Sequence, residues 1–479
     1  MDIEGQVVHW LGQQGVPAYL VGGRVRDRLL NRPLYDLDVA VDGDGLAMAR
    51  RLANRFGGAY FPLDEARSTG RAILQREDGQ RLVVDVARFR GADLDADLAD
   101  RDFTVNALAA DVHAPDQVID RHDGLADLAA GIIRPVSDAS IRNDPLRALR
   151  AVRLAAQLDF ALAPETERLI RRDGKGLAQE AGERIRDELA LLLAMSEAAS
   201  YLARLDDLGL LTLILPELEP LRDLVQPPPH YLNGLSHSLE TVRGLEMIVR
   251  EQKEASDPGL AALAPLAGRM RDHVAQMMSD RRPRLVVLKL AALLHDTGKP
   301  ETHAVDDKGR MRTIGHDKAG VQHTGDALRR LRLSRAEVRL GETVVRHHMR
   351  PLLLANEVSV SSRAIYRFFR DTGDAGVDIL LHALADHRAT YAPEADDDRW
   401  PHLVDLVARM LAAYWERQAE QVYPPPLIDG HDLLREFELQ PGPLVGELLE
   451  AVREAQVGGD VRTREEALAL VRASLARKA

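Results

Sequence analysis

A chain of 479 residues with a formal net charge of −12 and no cysteine is too long for one ordinary core and is expected to fold as roughly two to four domains. The absent cysteines exclude disulfides, iron–sulfur clusters and thiolate zinc sites, which leaves any metal to histidine and carboxylate ligands. The acidic balance argues mildly against nucleic-acid binding, although net charge averages over domains and a basic groove can be local.

Aromatic residues make up only 4% of the chain, while Ala, Leu and Arg are abundant. A mostly helical protein is therefore expected. The start, MDIEGQVVHWLGQQG, has no basic region ahead of an apolar core, so it does not read as a signal peptide. Apolar runs such as Leu285 to Leu294 are interrupted or too short to span a bilayer. A soluble, cytoplasmic protein without a membrane partner is expected.

Residues 3–16 read as a helix with Ile3, Val7, Val8 and Leu11 on one face. The stretch Tyr19 to Val41, YLVGGRVRDRLLNRPLYDLDVAV, then gives strand, glycine turn, helix and strand. On the second strand Asp36 and Asp38 share one face and Leu37 and Val39 the other, so the two acids form a clamp for a divalent metal. Gly22 and Gly23 let backbone approach a triphosphate, and the helix that starts there adds its positive end. Arg26-Asp27 lies between the two features. Together they read as a nucleotidyl-transfer site.

Asp44 to Phe56 reads as a helix and Ala59 to Asp64 as a short strand. Arg71 to Gln75 and Arg81 to Arg88 read as a hairpin around Asp78-Gly79. Asp85 stands in that hairpin among Val83, Val84 and Val86. Two readings are equally open for it: a third catalytic carboxylate, or a strand-edge acid paired with an arginine. In DLADRDFTVNALAAD, residues 97 to 111, Asp102 is placed to cap a helix-like run from Phe103 to Ala109, with Arg101 and Asn106 available to a sugar or phosphate.

From Ile141 the pattern turns wholly helical. Asp144, Arg147, Arg150 and Arg153 recur at steps of three on one face, with Leu146, Leu149 and Leu154 on another. An acid and an arginine can read a base edge, but a spaced arginine row is more often a solvated face. GERIRDELALLLA, residues 182 to 194, is a further amphipathic helix, and Leu202 to Leu224 reads as helical until QPPPH breaks it.

A second centre follows. His237 lies on a helix, a strongly apolar helix ends in His295-Asp296, and His316, His347-His348 and Asp386-His387 come after. Ten of the sixteen histidines fall between His273 and His402. Imidazoles with carboxylates suit a divalent transition metal, and His237, His295, Asp296 and Asp386 are the favoured ligands. For His316, His347 and His348 a ligand role and a hydrogen-bonded core role are equally open. An acidic loop over residues 392–401, a proline run and a helical tail from His431 to Ala476 complete the chain. Thr463 and Glu466 form a capping-box pattern, and no internal repeat is evident.

These blocks resemble the class II tRNA nucleotidyltransferases and bacterial poly(A) polymerases of the polymerase-β superfamily. YLVGGRVRDRLLNRPLYDLDVAV is similar to the family's first motif and DRDFTVNALA to its RRDFTxN block. DGLADLAAGIIRPV resembles the pattern leading into the neck, NDPLRALRAVRLAAQLDF the templating helix, and ERIRDEL the block after it. His237, His295-Asp296 and Asp386 resemble the HD phosphohydrolase signature, which some bacterial members carry behind the neck.

The resemblance implies an α/β nucleotidyltransferase head with a small mixed sheet over residues 1–138. A helical neck over 139–225, an HD domain over 226–405 and a helical tail over 406–479 would follow. It implies addition of CCA, or part of it, to tRNA 3′ ends from CTP and ATP. Asp36 and Asp38 would hold Mg²⁺. Gly22, Gly23 and Arg26 would take the triphosphate, Arg101, Asp102 and Asn106 the ribose, and Asp144 and Arg147 the base edge. Asn143 and Asp100 depart from the family pattern, which usually has Glu and Arg there, and either change is compatible with C-only or A-only addition. Poly(A) synthesis, and an HD phosphohydrolase carrying a non-catalytic RNA-binding head, are the alternatives.

Overall fold

The computed structural model describes residues 2–33, 36–76, 78–254, 258–279, 282–357, 359–392 and 397–478. Leu34 and Tyr35 of the first motif, and residues 393–396 of the acidic loop, lie outside the described residues. The chain divides into two compact units, residues 1–192 with 204–214, and residues 193–203 with 215–479.

The first unit begins with a seven-stranded mixed sheet. Its strands are β1 (Ala18–Val21), β2 (Asp36–Val41), β3 (Ala59–Asp64), β4 (Thr69–Gln75), β5 (Arg81–Arg88), β6 (Leu108–Asp111) and β7 (Val118–Asp120), in the order β3-β4-β5-β2-β1-β6-β7. Only β2 and β5 pair in parallel within it, and that pairing sets Asp38 directly opposite Asp85. The expected alternation on β2 holds, with Leu37 and Val39 buried and Asp36 exposed. Helices α1 (Ile3–Gly12) and α3 (Gly45–Phe56) bury Val7, Leu11, Met48 and Leu52 against Leu37, Val39 and Val41. Each such side chain contributes about 1.5–3 kcal/mol of burial. The opposite face of the sheet is thereby left for polar chemistry.

Between these elements, α2 (Gly23–Leu29) follows the glycine turn and α4 (Leu94–Ala99) follows β5. The first helix ends at Gly12, short of the expected residue 16. A larger departure concerns Phe103 to Ala109, which is not a helix. A 3-10 turn over Thr104–Asn106 leads straight into β6, where Ala109 and Ala110 pair with Val21 and Leu20. Sheet pairing and full burial of Leu108, Ala109 and Ala110 override the helix preference of this Ala-rich run.

The helical continuation comprises α5 (Gly124–Ala130), α6 (Ser140–Asn143), α7 (Leu146–Leu158), α8 (Pro164–Asp173) and α9 (Gly182–Leu193). It is not purely helical: Ile132–Ile133 and Ala161–Leu162 make a short parallel pair. The run from Leu202 to Leu224 is likewise broken, into α10 (Ala198–Asp207), α11 (Leu211–Ile214) and a 3-10 turn over Pro216–Leu221. Pro216 at the first position of that turn restarts the chain, since proline supplies no N–H to continue the preceding helix.

The second unit is mainly helical. Its long elements begin with α12 (Gly234–Glu254), α13 (Ala267–Ala275) and α14 (Arg284–Leu294). They continue with α15 (Lys299–Thr302), α16 (His316–Arg330), α17 (Arg335–His347), α18 (Met349–Leu354), α19 (Ser362–Thr372), α20 (Ala375–Thr390) and α21 (Arg399–Glu416). Nearly every residue of α14 and α20 is buried, as their apolar composition requires. The tail helices α22 (Gly430–Glu436), α23 (Pro443–Val457) and α24 (Arg464–Lys478) close on their own core of Leu433, Leu448, Val452 and Val471. The capping box at Thr463 is present, with Glu466 N–H donating to Thr463 Oγ1 and Thr463 N–H to the Glu466 carboxylate. No described helix is long and apolar enough to cross a membrane.

Candidate functional site

The first centre gathers on the polar face of the sheet. Asp38 is largely enclosed, and burial, the facing Asp85 carboxylate and Asp36 raise its pKa to about 6 against the pull of Arg101 and Arg26. Three acids collected at one spot call for a cation, so the donor set fits a divalent metal at Asp36 and Asp38. Asp85 has an arginine partner: Arg71, opposite it on β4, grips it through Nε and Nη2 at 2.7 and 2.8 Å. Asp85 faces Asp38 all the same.

Gly22 has φ of 67°, a conformation open to glycine at little cost. A Cβ there would stand 3.0 Å from Arg101 Nη1 and 3.6 Å from Asp38 Oδ2, so the missing side chain is what leaves room above the acid. The Gly22 N–H is engaged by the Leu108 carbonyl at 3.2 Å. The residue therefore contributes space and conformation, and not a free donor.

A chain of polar contacts runs beside the acids. Buried Arg26 donates to Asn106 Oδ1 at 2.5 Å, and Asn106 Nδ2 donates to Asp102 Oδ1 at 3.0 Å. Arg150 joins Asp102 to Glu188, at 3.2 and 2.8 Å, and Arg153 holds the other Glu188 oxygen at 2.9 Å. Burial opposes ionisation of Asp102, yet Arg150, Asn106 and the Phe103 N–H together hold its pKa at about 2. These groups line a cavity of about 420 Å³ that also includes Gly23, Asp36 and Asp38. The arginine row is thus an ion-paired wall and not a solvated face. Glu188 escaped attention in the sequence, although it sits inside the ERIRDEL block as a buried acid among leucines.

Asp144 and Arg147 stand apart from that cavity. Arg147 is buried and donates to the carbonyls of Asp100 and Arg101, at 2.7 and 3.2 Å, and to Ser140. Asp144 lies in extended backbone ahead of α7 and accepts from Arg184 at 3.0 and 3.1 Å. Arg101 is held by Asp97 through Nε and Nη2.

The second centre lies where α12, α14, α16, α17 and α20 present histidines to one point. In His237, His295, His316 and His348, Nδ1 bonds a backbone carbonyl: Ala389, Ala292, Thr313 and Val345, at 3.3, 2.8, 2.7 and 2.6 Å. A carbonyl only accepts, so in neutral His316 and His348 the proton sits on Nδ1 and the Nε2 lone pair faces inward, whereas His237 has an acceptor at each nitrogen, the Ala389 carbonyl and Asp386 Oδ1. His316 Nε2 and His348 Nε2 then approach to 3.1 Å with no proton between them in their neutral forms. Such lone pairs repel unless a cation lies between, and backbone-anchored imidazoles are the usual second sphere of a metal ligand.

The acids agree. His237 Nε2 is 3.0 Å from Asp386 Oδ1, and His295 Nε2 is 3.2 Å from Asp296 Oδ2. Neither His295 Nε2 nor Asp296 Oδ1 has a hydrogen-bond partner, although both are buried. Among the described residues two groups have donor atoms close enough for an ion, His237 with His295 and Asp386, and Asp296 with His316 and His348. The residues present therefore fit a divalent metal centre. Lys299 Nζ reaches Asp296 Oδ2 at 2.5 Å and Gln226 Oε1 at 2.7 Å. His347 belongs to neither group and is half-buried. His382, not singled out from the sequence, is fully buried one helical turn before Asp386, with its ring 4.8 Å from that of His295 and both nitrogens unpartnered.

Comparison with known proteins decides the family. The chain matches the family models described as "Poly A polymerase head domain" over residues 18–134, "Probable RNA and SrmB-binding site of polymerase A" over 159–221, "HD domain" over 234–368 and "tRNA nucleotidyltransferase domain 2 putative" over 424–471. An A-adding tRNA nucleotidyltransferase of Deinococcus radiodurans is 35% identical over 461 residues, covering 95% of this chain and 94% of the relative. The chain belongs to the class II tRNA nucleotidyltransferase family.

Other members of this family place the chain further. A CC-adding tRNA nucleotidyltransferase of Geobacter sulfurreducens is 34% identical, with 95% of this chain and 91% of that one covered. The solved apo form I of a CCA-adding enzyme shares the fold, with a TM-score of 0.65, 22% identity and coverage of 98% and 93%. The Thermotoga maritima CCA-adding enzyme complexed with tRNA does so too, with a TM-score of 0.61, 23% identity and coverage of 98% and 94%. The head, RNA-binding, HD and C-terminal regions of the family are all present in this class II nucleotidyltransferase.

Proposed function

We propose that the chain adds part of the CCA sequence to tRNA 3′ ends, using CTP or ATP in the cavity bounded by Asp36, Asp38, Arg26, Asn106, Asp102, Arg150 and Arg153. The observation that carries this reading is the unbroken series Arg26–Asn106–Asp102–Arg150–Glu188–Arg153 beside the two acids of β2. Cationic groups along one wall match a triphosphate, and the Asp102–Asn106 pair offers both acceptor and donor to a ribose. Mg²⁺ held by Asp36 and Asp38 would polarise the 3′-hydroxyl and the α-phosphate and neutralise the departing pyrophosphate. Asp144 and Arg147 are the proposed base readers, with Arg184 and the Asp100 carbonyl holding their side chains. A single-base product is favoured because relatives matched over nearly their full length are named A-adding or CC-adding. Incubation with labelled CTP or ATP and tRNAs ending before, within and just short of CCA tests it. Incorporation of one base type is expected, and no incorporation into any of them would sink the reading.

A second activity is favoured by the convergence of four Nε2 atoms with Asp296 and Asp386. We infer a metal-dependent phosphoester hydrolase at this HD centre, in which a transition metal would activate a water and Lys299 would meet a phosphoryl oxygen. Hydrolysis of a generic phosphodiester by the wild type and by Asp296→Ala tests this, and equal rates would contradict it.

A further inference from the structure

Asp38 is shared by two cavities. One is the cavity of about 420 Å³ described above, and the other, of about 620 Å³, lies along β4, β5 and α4. Of all the residues lining the two, Asp38 is the one they have in common. Nucleotidyl transfer brings its nucleophile and its leaving group to phosphorus roughly in line, hence from opposite sides. If pyrophosphate leaves toward the arginine wall, the attacking hydroxyl arrives from the larger chamber.

The charges of that chamber are mostly matched internally. Asp85 is held by Arg71, Asp97 by Arg101, and Asp100 lies 3.7 Å from Arg90. Arg67 differs. It projects from the β3–β4 turn with an exposed side chain, and its ion pair to Asp64 is long, at 3.9 Å. The turn that presents it is well fixed, because Asp64 accepts from the Arg67 N–H at 3.0 Å and Ser68 Oγ donates to Asp44 at 2.7 Å. Phe89, half-buried against Tyr19 at 6.0 Å, is the aromatic side chain of the lining.

We infer that this chamber receives the 3′-terminal nucleotide of the RNA acceptor, with Arg67 as a positioning residue for the backbone phosphate and Phe89 as the platform for the terminal base. An exposed guanidinium suits a phosphate, and an aromatic face takes a base irrespective of its sequence. The assignment rests on the nucleotidyl-transfer reading and adds to it the side from which the acceptor enters.

Steady-state kinetics at varied tRNA and varied nucleotide separates the two. Arg67→Ala is expected to raise the tRNA KM about fivefold to tenfold and to lower the slope of log KM against log salt by about 0.7–1. The nucleotide KM should stay within twofold, and Arg67→Lys should recover most of the loss. Phe89→Ala should raise the tRNA KM and Phe89→Tyr should not. An unchanged tRNA KM in both Arg67→Ala and Phe89→Ala, or a parallel rise in nucleotide KM, would overturn the inference while the transfer reading stands. Absence of transfer by the wild type would overturn the reading and the inference with it.

Discussion

Asp38 and Asp85 face each other across the parallel pairing of β2 and β5, and Arg71 neutralises only the second of them. Asp38 is left half-buried beside like charge. The strand pair that builds the core thus also builds a site that demands a cation. Replacing Arg71 by Ala releases a second uncompensated carboxylate there. Mg²⁺ titration of activity is expected to shift in this variant, and an unchanged Mg²⁺ profile would show that Asp85 plays no part in the site.

Gly22→Ala places a methyl group 3.0 Å from Arg101 Nη1 and 3.6 Å from Asp38 Oδ2, at φ of 67°. Backbone strain of this kind costs about 1–3 kcal/mol. The expected result is a modest fall in melting temperature with at least a tenfold loss of kcat/KM. A variant with full activity would mean that the space above Asp38 is not used by substrate.

Glu188 anchors both Arg150 and Arg153. Glu188→Gln keeps the shape and removes the charge, so the two guanidiniums lose their common partner. The nucleotide KM should rise several-fold, with the tRNA KM nearly unchanged. Equal rises in both would point to a general loosening of the helices α7 and α9.

In the HD unit, Asp296 lies close to ligand atoms of both groups, whereas His348 belongs to one. After dialysis against Mn²⁺, metal analysis should show the highest content in the wild type, less in His348→Ala and least in Asp296→Ala. Nucleotidyl transfer should persist in all three. Identical metal content throughout would exclude these residues as ligands.

Glu337 is fully buried and accepts from Arg282 at 2.7 Å, from Ser279 and from the Ser334 N–H. Burial alone would raise its pKa, but these partners hold it at about 2, below the ordinary 4.5. A depressed carboxylate stabilises the fold above its unfolded pKa and loses that contribution as pH falls toward the folded value. Glu337→Gln should therefore cost about 3 kcal/mol near neutral pH. In urea melts its deficit should shrink between pH 4.5 and about 2, the two values that bound the shift. A deficit independent of pH would assign the loss to packing.

Local rules made the acid pair on β2 legible, because period-two alternation decides which side chains share a face. They also located the helix that Asp44 caps and the β4–β5 hairpin. They failed at Phe103 to Ala109, where sheet pairing with β1 decides the conformation of a run that reads as helical alone. The partners of the arginine row were out of reach for a similar reason: Glu188 is 38 residues from Arg150 and 35 from Arg153. His347 and His348 are indistinguishable as neighbours in sequence. The end of α17 separates them, because His348 bonds back to the Val345 carbonyl and turns its Nε2 to the centre. His382 had a usable signal, its four-residue spacing to Asp386 on one helix face.

In the proposed reaction Asp36 and Asp38 serve transfer of a nucleotide to tRNA. Wild type and Asp38→Asn, checked for equal folding by circular dichroism, should be given labelled CTP or ATP with tRNAs ending before, within and just short of CCA. The wild type should extend one class of acceptor with one base type, and Asp38→Asn should lose at least a thousandfold in rate while still melting cooperatively. Near-wild-type incorporation by Asp38→Asn, or none by the wild type, would contradict the account.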